Sequence, residues 1–170
     1  ASTTIAAPAS LTSLFNDGND HFGVLAVQAA TIDLSSLTVD GQAAGNLHER
    51  FYGVLLHNAG GTITDVDVTG VRNDPRDAAA HGVGIGVLGD DATARNLDVT
   101  GGAITDFQLA GMAVVTAAGT PLTLGVDQLT ITGAGATADI AQTGLQLTGG
   151  DLAATVTALV ASDSAFTGGP

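Results

Sequence analysis

The sequence predicts an all-β chain built as a solenoid of about five stacked parallel coils behind a short N-terminal cap. Three observations carry this. A glycine-led stretch returns five times at a spacing near 30 residues. Inside each copy apolar residues alternate with period two, as strands with one buried face require. The composition, 24 Gly in 170 residues with frequent Thr, scarce Glu and no Lys, favours strands joined by glycine turns.

Residues 1–21 read as the cap. In "PASLTSLFNDGND" (8–20), Leu11, Leu14 and Phe15 fall at helical spacing behind Ser10 as a candidate N-cap, which predicts a short helix over 9–17 lying on the first coil. The solenoid follows over 22–170. Its copies begin "FGVLAVQAATIDLSSLTVDG" (22–41), "YGVLLHNAGGTITDVDVTG" (52–70), "HGVGIGVLGDDATARNLDVTG" (81–101), "AGMAVVTAAGTPLTLGVDQLTITG" (110–133) and "TGLQLTGGDLAATVTALVASDS" (143–164). Taking Gly23, Gly53, Gly82, Gly111 and Gly144 as leaders gives spacings of 30, 29, 29 and 33.

Aligned on those glycines, the copies predict three columns of stacked core side chains. These are Val24, Val54, Val83, Met112 and Leu145; then Ile32, Ile63, Ala94, Leu124 and Val156; then Val39, Val68, Val99, Ile131 and Ala161. Three short strands per coil, each pairing with its equivalent in the next, bury an interior only when neighbours stack.

This pattern resembles the right-handed parallel β-helix of the pectin-lyase-like superfamily, over roughly residues 22–165. The resemblance implies a right-handed parallel β-helix solenoid and says little of activity, since that fold hosts lyases, hydrolases, epimerases, adhesins and fibres. It also implies where chemistry would sit: on the outward side of one sheet, in a groove walled by loops. The outward positions predicted for the leading strands are Leu25 and Val27, Leu55 and His57, Gly84 and Gly86, Ala113 and Val115, and Gln146 and Thr148. No carboxylate and no Arg stands among them. A lyase needs a base and a cation, and a glycosidase needs two carboxylates, so neither set assembles on that face. What remains is an apolar stripe, the kind of patch that makes contacts.

Seventeen acidic side chains against four arginines give a net charge of −13, which disfavours nucleic acid and anionic membranes as partners. No apolar run approaches the length of a spanning helix, so membrane insertion is not expected. The absence of Cys excludes disulfides and thiolate metal sites. The start "ASTTIAAPAS" is of the small, polar type left by signal-peptide removal, which predicts a secreted or cell-surface protein.

Polar residues gather in the loops "GQAAGNLHERF" (41–51) and "GVRNDPRDAAAH" (70–81). His48, Glu49, Arg50, Arg72, Asp74, Arg76, Asp77 and His81, with His57 nearby, form either a sugar-binding or acid/base site or a salt-bridged loop pair. The alginate epimerases of the superfamily resemble one another in a "D-P-H-E" stretch, whereas "N-D-P-R-D" and "H-E-R" are separate here. "GIGVLG" (84–89) is followed by a strand-like run instead of a helix, so no dinucleotide and no other cofactor is expected. Asp90 and Asp91 read as a turn before they read as a calcium site. Asp33, Asp65, Asp67, Asp98 and Asp127 read as a solvated lateral face, and the "TIT" and "TVT" triplets at 62–64, 130–132 and 155–157 as too scattered to form an ice-binding rank.

Two functions follow from this reading. One is an exported structural or adhesive module that assembles with itself head-to-tail, Leu11, Leu14 and Phe15 of one copy meeting Leu145, Leu147, Val156 and Leu159 of another. The other is a module that binds or modifies extracellular polysaccharide.

Overall fold

The structure, a computed structural model, describes residues 3–45, 50–134, 141–163 and the backbone of 165–168. Its strands run β1 (Thr3–Ala6), β2 (Phe15–Asn16), β3 (Asp20–Gln28), β4 (Thr31–Ser35), β5 (Leu37–Asp40), β6 (Arg50–His57), β7 (Gly60–Thr64), β8 (Asp67–Thr69) and β9 (Val83–Gly89). They continue as β10 (Arg95–Thr100), β11 (Ala103–Thr105), β12 (Ala110–Thr116), β13 (Leu122–Asp127), β14 (Thr130–Thr132), β15 (Thr143–Thr148), β16 (Leu152–Thr157), β17 (Val160–Ser162) and β18 (Ala165–Gly168).

Each coil lays one strand into each of three sheets: a groove sheet ordered β18-β15-β12-β9-β6-β3-β2, a lateral sheet ordered β16-β13-β10-β7-β4, and a base sheet ordered β1-β5-β8-β11-β14-β17. All named strand pairs are parallel except β2 with β3. The five-coil parallel solenoid expected from the repeat is therefore present.

The registers correct the columns. In the groove sheet Leu25, Val54, Ile85, Met112 and Leu145 stack, so Leu25 replaces Val24 and Ile85 replaces Val83. In the lateral sheet Leu34, Ile63, Val99, Val126 and Val156 stack beside Ile32, Gly61, Leu97, Leu124 and Ala154; Ala94 precedes the strand. In the base sheet Ile104, not Val99, joins Val39, Val68, Ile131 and Ala161.

The true glycine column is Gly53, Gly84, Gly111 and Gly144, with Val24 in the first coil. At Gly53, Gly84 and Gly111 the groove sheet lies close against side chains of the base sheet. A Cβ on Gly53, Gly84 or Gly111 would collide with Val68, Ile104 or Ile131 respectively, and on Gly84 it would also lie 2.5 Å from the Gly111 carbonyl oxygen. Gly82 is instead a turn residue at φ +85°.

Gly53 and its successor Val54 both face the core, so the alternation slips by one at each glycine. That slip is why Leu25 and Val27 point inward, against expectation, and why Gly86 and Leu88 take the outward places assigned to Gly84 and Gly86.

Corners of one or two residues join the lateral and base sheets. Ser36, Asp65, Gln128 and Ala158 hold φ between 48° and 57°, and Gly101 takes the same corner in the third coil. The left-handed conformation costs a non-glycine residue roughly 1–2 kcal/mol. Stacking offsets it: Ser36, Asp65, Gly101 and Gln128 each donate their N–H to the next coil, reaching Thr64, Thr100, Asp127 and Thr157 carbonyls at 2.9–3.2 Å.

The expected N-terminal helix is absent. "FNDGND" makes a hairpin instead, pairing Phe15 with His21 and Asn16 with Asp20; Gly18 turns at φ +110° and donates its N–H to Asn16 Oδ1 at 2.9 Å. A D-G turn between two short pairing segments is a hairpin signal that outweighs helical spacing over so few residues. Leu11 packs on the first coil's core, but Leu14 and Phe15 pack on the outside of the groove sheet.

At the other end Leu145 is buried and Leu147, Leu152 and Leu159 half-buried, while Val156 is 39% exposed where Ile63, Val99 and Val126 of its column are 1% exposed.

Candidate functional site

The outward side of the groove sheet is not the empty stripe expected from its leading strands. Counting back from the glycine column, alternation sends Tyr52 outward, then Arg50, with His21 paired opposite Arg50 on β3; at the far end of the same strands His57 also faces out, paired with Gln28. Residues 50 and 57 of a straight strand would lie some 23 Å apart. Yet the Phe15 ring stacks on both His21 (centroids 4.1 Å apart) and His57 (3.9 Å), so the sheet is concave on this side. The concavity is a groove of about 440 Å³, floored by Tyr52, Val83, Leu88, Ala113 and Val115 and rimmed by Asp17, Arg50, His81 and Asp90.

Hydrogen bonds fix the two imidazoles. His21 Nε2 lies 3.1 Å from Asp17 Oδ1 and His57 Nε2 lies 3.1 Å from Asp90 Oδ2. A carboxylate only accepts, so each Nε2 carries the proton and each Nδ1 is an acceptor. Gln28 Nε2 then donates to His57 Nδ1 at 3.1 Å, and the Tyr52 hydroxyl donates to His21 Nδ1 at 3.2 Å. Asp17, His21 and Tyr52 thus form one directed chain.

Burial drives the electrostatics of that chain. His21 is 1% exposed, and desolvation pulls its pKa below the ordinary imidazole value although Asp17 opposes this. The hydrogen bond from His21 lowers Asp17, and burial raises Tyr52 while neighbouring Arg50 counters it. Hydrogen bonds from Asn58 and His57 lower Asp90. Near neutral pH the chain is carboxylate, neutral imidazole and phenol.

Gly86 makes this packing possible, since a Cβ there would strike Cδ1 and Cε1 of the Tyr52 ring. Thr116, another lining residue, holds a buried hydroxyl that has no hydrogen-bond partner among the described residues.

The predicted loop cluster divides. Arg50, His57 and His81 line the groove. Arg72, Asp74, Arg76 and Asp77 do not: Arg72 Nε and Arg76 Nη2 both bind Asp106 Oδ1, at 2.8 and 2.5 Å, and Arg76 also donates to the Phe107 carbonyl. Arg72 lies 3.4 Å from Asp74, and Asp77 accepts from Asn73 (2.8 Å) and Gln108 (2.9 Å). These contacts brace loop 71–82 from outside, and the brace presents Ala80 and His81 to the groove, His81 itself held to Asn73 Oδ1 at 2.6 Å. His48 and Glu49 lie outside the described residues.

Asp17, His21 and Tyr52 carry no expectation from the sequence, while Phe15, expected in an end-to-end contact, and Asp90, expected in a turn, line the groove with them. The signal for His21 and Tyr52 lay in extending alternation upstream of the glycines, through "DHFG" and "RFYG". Asp91 is spent on Arg95 at 2.8 Å.

On the lateral sheet the outward rows read Asp33, Thr62, Asp98, Gly125, Thr155 and Ser35, Thr64, Thr100, Asp127, Thr157. Two of the three Thr-x-Thr triplets therefore share columns after all, with Asp and Gly interrupting them.

Searches against family models, curated proteins and solved structures match nothing to this chain.

Proposed function

We propose that this chain is a polysaccharide-modifying β-solenoid that binds an acidic glycan along its groove, outside the cell, and moves a proton there with Tyr52. One observation carries the reading: Arg50 and Tyr52 face the groove two residues apart on β6, the Tyr52 hydroxyl already hydrogen-bonded to an imidazole that Asp17 orients. Arg72, Arg76 and Arg95 are each paired with carboxylates, whereas no described carboxylate lies within ion-pair distance of Arg50.

A base beside a cation that no described carboxylate neutralises is what proton removal α to a carboxylate requires, and Arg50 is hydrogen-bonded to Tyr52 itself. Tyr52 passes its proton to His21 Nδ1, leaving an imidazolium against Asp17. The phenolate takes the proton from the carbon α to the sugar carboxylate, whose charge Arg50 holds. The C–H electron pair forms the new double bond as the β carbon–oxygen bond breaks, and Tyr52 delivers that proton to the departing oxygen. The imidazolium then restores the phenol, so no co-reactant is consumed.

The test is incubation with polygalacturonate, alginate and a neutral xylan, following the ultraviolet absorbance of the conjugated unsaturated acid. Turnover of a polyuronate, reduced about 10²-fold or more in Tyr52→Phe, is the expected result. Removing Asp17 as Asn lowers the rate and moves the acid limb of the pH profile to lower pH, because Asp17 raises the His21 pKa. A chain that neither binds nor turns over any of the three overturns the proposal.

A further inference from the structure

We infer that the groove is closed at its first-coil side by Phe15, so that the protein engages a glycan at a chain terminus instead of partway along its length. Resting on the polyuronate reading above, this selectivity fixes where on the polymer the reaction takes place.

The centre line of the groove is the outward row Ala26, Leu55, Gly86, Ala113 and Gln146, one residue from each coil. Its cover changes along the solenoid. In the second coil Leu55 is fully buried although it faces outward, in a cluster that Tyr52 shares and Phe15 packs against. The Phe15 ring stacks on His21 and on His57 with centroids 4.1 and 3.9 Å away, so it fills the width between the two imidazoles and leaves none for a sugar ring. Toward the fourth and fifth coils the floor opens: Val115, in the neighbouring row, is 39% exposed and Gln146 half-buried.

The wall is tied to the strand that carries the proton-moving chain. Phe15 lies on β2, paired with His21 of β3; Leu14 donates its N–H to the His21 carbonyl at 2.8 Å, and Asn16 Nδ2 donates to Asp20 Oδ1 at 2.7 Å. The same hairpin carries Asp17, so the wall and the carboxylate that orients His21 are one piece. Tyr52 stands against it, its hydroxyl bonded to His21, whose ring stacks on Phe15. A uronate seated over Tyr52 and Arg50 therefore has room for further sugars on one side only along the solenoid axis, across Val83, Ala113 and Val115. A polymer that ran over the hairpin instead would bring its carboxylates against Asp17, whose side chain is 55% exposed.

Two readouts test this on short, medium and long fractions of polygalacturonate and alginate. In calorimetric titration of Tyr52→Phe, which leaves the polymer intact, the number of protein copies bound per glycan chain should stay constant as the chain lengthens. In digests by the unaltered protein, one small product should appear from the first turnovers, with viscosity falling only in step with the rise in absorbance. Copies per chain that grow in proportion to length, or a ladder of product sizes with an early collapse of viscosity, overturn the closed end. Phe15→Ala, folded as judged by an unchanged circular dichroism spectrum, should open the groove and give both the ladder and the length-dependent stoichiometry; a folded variant that still releases one small product overturns the role given to Phe15. Failure to bind or cleave either polyuronate is a separate outcome, which removes the reading beneath and the closed end with it.

Discussion

The groove sheet and the lateral sheet share one backbone plan, yet their outward rows differ in kind. On the lateral sheet the rows repeat Asp and Thr from coil to coil, tied by bonds such as Thr62 to Asp33 (2.9 Å) and Thr157 to Asp127 (2.7 Å). On the groove sheet the outward row through Tyr52 runs Gly23, Tyr52, Val83, Ala110 and Thr143, with no residue type recurring. Stacking explains the first pattern, because each rung faces the same solvent and the same neighbours. It does not explain the second. In a solenoid the repeated rows serve the fold, and chemistry is to be sought where the repeat is broken.

The largest effect tests what the two faces have in common. Val68→Asp places a charge in the shared interior, where Val68 is fully buried, and is expected to cost at least about 3 kcal/mol and unfold the domain; circular dichroism and thermal melting read it. The same change on the lateral surface, Thr64→Asp, should move stability by no more than about 0.5 kcal/mol.

Next come substitutions that separate brace from groove. Arg76→Ala breaks the bonds to Asp106 and Phe107 and should destabilise by about 1.5–3 kcal/mol. Arg50→Ala should leave the melting temperature unchanged and abolish retention on the acidic glycan. Gly86→Ala drives a methyl into the Tyr52 ring, with an expected cost of about 1–3 kcal/mol and a disturbed groove. Equal losses of stability from Arg50→Ala and Arg76→Ala would erase the distinction drawn between them.

The smallest effects are in pH. His21 has its pKa depressed in the folded chain, so the unfolded chain binds the proton more readily. Stability is therefore constant above about pH 6.5 and falls as pH drops from there through the depressed value. Proton uptake by His21 also removes the acceptor that Tyr52 needs, so activity and stability should decline on the same limb. Asp91, held at about 2 by its hydrogen bond from Arg95, contributes above its ordinary 3.8 and loses that contribution as pH falls through about 2. Asp91→Asn should remove this second, acid limb from a plot of melting temperature against pH.

The architecture was legible because stacking makes every coil restate it. Register was harder. "VDVTG" (66–70) and "LDVTG" (97–101) look interchangeable, but the first sits in the base sheet and the second in the lateral sheet, because "GAIT" after the second supplies a further strand, β11. "HGVGIGVLG" offers four glycines for one close approach, and only the neighbour above decides for Gly84. The groove was less legible still, since its residues come from a hairpin, strand starts and strand ends that only a concave sheet brings together.

One measurement bears most directly on the groove as the working site. Tyr52 is the chain's single tyrosine and there is no tryptophan, so its fluorescence reports on the groove alone. Titration with a uronate oligosaccharide should give a saturable change in tyrosine emission that vanishes in Arg50→Ala and persists in Val156→Lys. Emission that does not respond while the oligosaccharide binds by calorimetry, or a response that survives Arg50→Ala, would contradict the account.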